Sequence, residues 1–180
     1  MAVRYPTFKE YLEHEYNGPF MATDIIIRYK TRKKKGVVLI ERKEKPYGLA
    51  IPGGIAEKIT FVKNAKKEGN EETGLRVKID TPHRPLCEFS DVSGDNRAHI
   101  ATVVYTGEGF GRLRPHKKED AKNARVFTLE ELTDLLGSGI WAFPKRHPKI
   151  MALYLADNLD QLPVNYQNKV RAYLRKNRLK

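Results

Sequence analysis

The chain has 180 residues, enough for one well-packed domain and too few for two, and its 34 Lys and Arg against 22 Asp and Glu leave a formal net charge of +12. Its single cysteine, Cys87, excludes an intrachain disulfide, and no run approaches the roughly 18 apolar residues of a membrane span. The N-terminus has no basic start followed by an apolar run, so a soluble, unprocessed, cytoplasmic protein is expected, with no membrane partner. The excess charge is concentrated late: residues 145–180 hold nine basic residues against two acidic ones. Such a surface favours polyanions, either phosphorylated small molecules or nucleic acid, and it also serves solubility and surface ion pairing.

Residues 1–21 mix aromatics with charge, with Phe8, Tyr11 and Leu12 at helical spacing, and read as an extension that packs on the body or contacts a second copy. Asn17-Gly18-Pro19 then breaks the chain. Residues 22–29 and 36–41 are β-branched and apolar and read as a hairpin around a basic, solvated loop. Arg42 follows the second strand directly, where its guanidinium could fork onto a phosphate or pair at the surface with Glu44. A turn at Pro46-Tyr47-Gly48 and a short strand over 49–52 lead to Gly53-Gly54, a pair that lets backbone approach a ligand closely.

The spacing predicts a helix over 60–73, with Thr60 as its N-cap and Gly74 ending it in a left-handed turn. On that helix Glu68, Glu71 and Glu72 stand at i, i+3 and i+4, which costs a few tenths of a kcal/mol per like-charged pair. Gly69 costs about 1 kcal/mol more against alanine. Such a face is either merely solvated or held by a divalent cation, since Mg²⁺ prefers carboxylate oxygens and fills its remaining positions with water and phosphate.

Short strands are expected over 76–80 and 86–89, and the longest over 98–106. Cys87, between Leu86 and Phe89, reads as a buried small hydrophobe rather than a catalytic thiol. Arg97, at a loop-to-strand junction, is a candidate substrate contact, while His99 reads as structural. Residues 107–118, with three glycines and four basic residues, read as a lid or binding loop closed by Glu119 and Asp120. Thr128 to Glu131 is a capping box opening a helix through Leu136. Helices near 149–158 and 164–175 follow, the last with Tyr166, Val170, Tyr173 and Leu174 on one side and basic residues on the other.

Residues 53–75, GGIAEKITFVKNAKKEGNEETGL, resemble the Nudix box, G-x5-E-x7-R-E-U-x-E-E-x-G-U with U aliphatic. The C-terminal half fits closely. Ile59, Lys67 and Gly69 stand where the family has Glu, Arg and an aliphatic residue, and the loop is one residue short, so the family's Glu–Arg bridge is expected to be missing. GVVLIERKEKPYGLAIPGG, SDVSGDNRAHIATVVY and EDAKNARVFTLEEL resemble landmarks of the ADP-ribose pyrophosphatase subgroup.

The resemblance implies an α/β/α sandwich around a mixed β-sheet, with additional C-terminal helices. It divides the chain into an N-terminal extension (1–21), a Nudix hydrolase domain (22–144) and a basic helical extension packed on it (145–180). Glu68, Glu71, Glu72 and a carbonyl at Gly53 would hold Mg²⁺ or Mn²⁺, and Glu72 or Glu119 would act as base. Arg42, Arg97 and Gly54 would bind substrate. The implied reaction is hydrolysis of a nucleoside diphosphate derivative, foremost ADP-ribose to AMP and ribose 5-phosphate. Related enzymes are often homodimers with shared sites. Ile59, Lys67 and the short loop motivate the alternative of a degenerate domain that binds nucleotide or RNA without turnover. The basic C-terminus would carry nucleic-acid binding, which is not favoured.

Overall fold

A computed structural model describes residues 7, 9, 10, 12, 16, 18–95, 97–115 and 121–179. The β-branched runs form the strands β1 (Phe20–Lys30) and β2 (Lys35–Arg42), an antiparallel hairpin in which Ile27 lies opposite Val38. The remaining strands are β3 (Leu49–Ala50), β4 (Gly53–Ile55), β5 (Arg76–Ile79), β6 (Cys87–Phe89), β7 (Ile100–Phe110) and β8 (Ala121–Phe127). Their sheet runs in the order β3-β2-β1-β7-β5, with β4 paired to β1, β6 to β7 and β8 to β2. Only β1 and β7 run parallel among these pairs, so the sheet is mixed.

Alternation along the strands divides the core in two. Ile25, Ile27, Val38 and Ile40 face helix α1 (Phe61–Thr73), packing with Ala65 and with Leu75 just beyond its end. Ile26, Val37 and Leu39 point the other way, onto Leu132 of α2 (Leu129–Leu135), Ile150, Met151 and Leu155 of α3 (His147–Ala156), and Val170 of α4 (Val164–Lys176). A sheet covered on both faces explains why β1 and β2 are near-continuous apolar runs. The result is the α/β/α sandwich, with α1 on one face of the sheet and α2, α3 and α4 on the other.

Helix α1 has the expected ends. Thr60 Oγ1 accepts from the Lys63 N–H at 3.4 Å, and Gly74, at φ 73°, donates to the Asn70 carbonyl at 2.6 Å. Gly69 earns its place by packing: a Cβ there would stand 3.2 Å from methyls of Ile27 and Val77 and 3.3 Å from one of Ile25. Loss of a side chain lets α1 settle close on the sheet.

The stretch from Gly107 corrects the sequence reading. Residues 107–110 continue β7 and pair with β5, Gly109 opposite Val77. The glycines there answer close contact rather than a turn, since a Cβ on Gly107 would meet the Lys78 carbonyl at 2.7 Å and one on Gly109 would meet Ile27 and Leu75 at 2.8 Å. Residues 116–120, with Glu119 and Asp120, lie outside the described residues. Cys87 is half-buried in β6, and burial pushes its thiol up to about 12, so it stays protonated at neutral pH. Among the described residues no helix is long and apolar enough to cross a membrane.

Candidate active site

Three backbone segments meet at one end of α1. Asp24 of β1 pairs in register with Gly53 of β4, and the Ile25 N–H donates to the Pro52 carbonyl at 2.8 Å. The Gly53 N–H donates in turn to Glu72 Oε2 at 2.9 Å, tying the glycine loop to the helix. Both glycines are required by crowding. A Cβ on Gly53 would stand 2.3 Å from the Thr23 carbonyl, and one on Gly54 would stand 2.6 Å from Glu68 Oε2.

These segments enclose a cavity of about 180 Å³. Its lining brings acidic groups, Glu68, Glu72 and Asp24, and the glycines Gly53 and Gly54 together with basic ones, Arg42, Arg97 and Arg146, and with Phe143 and His147. The Phe143 ring gathers the arginines: the Arg42, Arg97 and Arg146 guanidinium carbons lie 5.6, 5.2 and 4.7 Å from its centroid, within cation–π range.

Burial dominates the electrostatics. It pushes the Glu72 carboxyl up to about 8, reinforced by the Glu68 charge and opposed by the Gly53 N–H and Arg42. Burial also raises Asp24, against Arg146 and the 2.9 Å hydrogen bond from Thr102. His147 is held well below the usual histidine range by burial and then by Arg146 and Arg42. Its Nδ1 accepts from the Ile51 N–H at 3.1 Å, which places the proton of the neutral ring on Nε2.

Six of the residues singled out from the sequence line this cavity together: Arg42, Gly53, Gly54, Glu68, Glu72 and Arg97. Arg42 is buried, and its Nε donates to the Pro46 carbonyl at 3.0 Å. Arg97 makes a two-pronged contact with Asp95, at 3.0 and 2.8 Å. Glu71 points elsewhere, its carboxylate 3.1 Å from Lys67 Nζ. Glu119 falls outside the described residues.

Lys67 corrects a second expectation. Its ammonium meets Glu57 Oε1 at 2.8 Å, and hydrogen bonds to Glu57 and then Glu71 raise its pKa. The bridge between loop and helix is present after all, made by Glu57, two residues before the box position at Ile59, which is exposed instead. Lys67 also relieves part of the carboxylate crowding, since Glu68 Oε1 is 3.8 Å away.

Sequence reasoning missed Asp24, Phe143, Arg146 and His147. A lone Asp inside an apolar strand was the available signal for the first, because such a charge is buried only with partners. Pro148 near the start of α3 was the signal for Arg146 and His147, marking the helix entry that turns them inward. A larger groove of about 850 Å³ lies toward the far end of β1, past Arg28 and Tyr29. Its lining includes Arg28, Arg84, Glu108, Glu130 and Asp157 but no residue of the 53–75 stretch, and Arg28 there is already held by Asp80 at 2.6 Å.

Among the described residues no group of three or more His, Cys, Asp or Glu side chains is arranged to hold a metal ion. Mg²⁺ is ordinarily held by one or two carboxylates plus water and phosphate, so Glu68, Glu72 and the Gly53 backbone fit that role. The desolvated Glu72, pushed up beside Glu68, is the environment a cation would relieve.

The NUDIX domain family model matches residues 19–154. A MutT/nudix family protein from Enterococcus faecalis is similar in structure at 26% identity and a TM-score of 0.53, over 69% of this chain but only 52% of that one. This chain therefore spans about half that protein's length. The NUDIX domain of Shewanella oneidensis NrtR, complexed with ADP ribose, is similar at 18% identity and a TM-score of 0.62, over 85% of this chain and 99% of that one. An ADP-ribose pyrophosphatase from Streptococcus suis is similar at 18% identity and a TM-score of 0.56, over 78% and 92%. At 18% identity the likeness is one of fold. No curated protein sequence matches the chain.

Proposed function

The chain belongs to the Nudix family, and on that premise we propose that it hydrolyses the diphosphate bond of a nucleoside diphosphate derivative, ADP-ribose foremost, to AMP and ribose 5-phosphate. The observation that carries this reading is the lining of one small cavity by two carboxylates of the box helix, Glu68 and Glu72, together with the arginines Arg42 and Arg97. Glu68, Glu72 and Gly53 would hold a divalent cation, Mg²⁺ or Mn²⁺, which would supply charge neutralisation of the diphosphate and a more acidic water.

The chain's own groups do the rest. Arg42 and Arg97 fork onto non-bridging phosphate oxygens and fix the diphosphate in place. Gly54, without a side chain, leaves room for it beside Glu68. The attacking water's oxygen bonds to one phosphorus, the P–O bond to the bridging oxygen breaks, and the water's proton passes to Glu72 or Glu119. ADP-ribose is favoured by the resemblance of the strand and loop segments around the box, and by the ADP-ribose-binding and ADP-ribose-cleaving proteins of the same fold. The Lys67–Glu57 bridge weakens the case for a degenerate binding domain, because the loop and helix remain tied as the family ties them.

The test is product analysis with ADP-ribose and Mg²⁺, beside sugar nucleotides and dinucleoside polyphosphates. Metal-dependent AMP formation, lost in Glu72→Gln, is the expected outcome. Nucleotide binding with no turnover of any compound by the wild-type protein overturns the hydrolase reading.

A further inference from the structure

Arg146 is not part of the family's box, and nothing in the mechanism above uses it. It sits at the entry to α3, yet its side chain is only 5% exposed and lines the same cavity as Glu68 and Glu72. Its Nε and Nη1 have no hydrogen-bond partner among the described residues. The nearest carboxylate to it, Asp95, lies 3.8 Å from Nη2, beyond hydrogen-bond reach, and is already engaged two-pronged by Arg97. Asp24 acts on Arg146 only through space. On the next residue, His147 Nε2 is also buried and unpartnered, 3.9 Å from Asp24 Oδ1.

A buried guanidinium with unmade hydrogen bonds is costly, because desolvation is not repaid by any protein acceptor. Stacking on Phe143 fixes the plane of the group without satisfying its donors. Size narrows what could satisfy them. At about 180 Å³ the cavity is below the roughly 300 to 1,000 Å³ that encloses a drug-sized ligand, so it admits an anionic group and leaves the nucleoside outside.

We propose that Arg146 is a phosphoryl-binding residue of this site, its Nε and Nη1 forking onto the non-bridging oxygens of a diphosphate, with the His147 Nε2–H lending a further donor. The name of the substrate rests on the hydrolase reading; the recognition of a diphosphate by Arg146 does not. A planar fork matches two phosphoryl oxygens at once, which an ammonium cannot reproduce. The site therefore selects for a diphosphate seated deep against α3, and it binds one even without metal.

The experiment measures inorganic pyrophosphate binding in EDTA, by thermal shift and calorimetry, to the wild type, Arg146→Gln, Arg146→Lys and the exposed-surface control Arg175→Ala. Pyrophosphate is expected to stabilise the wild type and Arg175→Ala alike, Arg146→Gln is expected to weaken binding at least tenfold, and Arg146→Lys to fall between them. If Arg146→Gln does not fold, Arg146→Lys still decides the matter, since loss of the fork alone lowers affinity. Wild-type affinity in either Arg146 variant, an equal loss in Arg175→Ala, or no binding by the wild type overturns the proposal. Arg146-dependent binding without turnover of any nucleoside diphosphate derivative leaves the subsite standing and removes the hydrolase reading, whereas turnover with Arg146-independent binding does the reverse.

Discussion

Gly54 and Glu68 show how narrowly the site is drawn. A methyl group on Gly54 would overlap the Glu68 carboxylate at 2.6 Å, and the atoms it meets are the far end of a flexible side chain. Gly54→Ala should therefore fold normally, with the clash relieved by Glu68 swinging aside. Expected are a melting temperature within a few degrees of wild type and a fall in Mg²⁺-dependent kcat/KM of about tenfold or more, since a carboxylate displaced by about an ångström no longer holds its partner in register. Unchanged kcat/KM would remove Glu68 from the machinery. At this scale the sequence spoke unevenly. Glu68 and Glu72 were legible because helix spacing puts them side by side. Glu57 was hidden because it stands two residues before Ile59, the position at which the box count looks for the partner of Lys67. Arg146 joins Glu72 in one cavity lining, and His147 meets Ile51, only through the folded chain, and no local pattern reports a contact across that much sequence.

Strands and helices were easier to read than the reasons for some of their residues. The capping of α1 by Thr60 and Gly74 follows from local chemistry, as does the capping box of α2, where Thr128 Oγ1 accepts from the Glu131 N–H at 3.3 Å. Gly69, Gly107 and Gly109 were not readable in this way, because each answers a neighbour brought close by tertiary packing. One ion pair pins elements that are distant in sequence. Arg28 of β1 holds Asp80, just past β5, through two hydrogen bonds at 2.7 and 2.6 Å, and Thr106 of β7 adds a third at 2.6 Å. The Arg28 hydrogen bond holds the Asp80 carboxyl below its ordinary range. A depressed carboxyl contributes stability that is present above its unfolded pKa and lost as pH falls through the lower folded value. The pair is about one-third exposed, so its worth is on the order of 0.5 to 1 kcal/mol. Thermal melts below about pH 4 should show the wild type losing more stability than Asp80→Asn, with the two converging in acid. Parallel acid limbs would mean that the pair contributes nothing.

Across the whole molecule, the C-terminal layer does more than cover the sheet. Helix α3 supplies Ile150, Met151 and Leu155 to the core while its entry delivers Arg146 and His147 to the cavity, so the packing of that face and the geometry of the site are one arrangement. Part of the basic excess is likewise structural, as in the 2.6 Å contact between Lys169 of α4 and Asp134 of α2. The sandwich was legible from alternating apolar strands and one glycine-fed helix. The gathering of its carboxylates and arginines around one cavity was not, because it depends on how α3 enters. The most direct test of that arrangement is anomalous diffraction from crystals holding Mn²⁺ and the non-cleavable α,β-methylene analogue of ADP-ribose. A manganese peak against Glu68, Glu72 and Gly53, with the analogue's phosphoryl oxygens turned toward Arg42 and Arg97, is the result predicted here. Manganese held instead on the Glu57, Lys67 and Glu71 side, or an analogue bound away from those arginines, would contradict it.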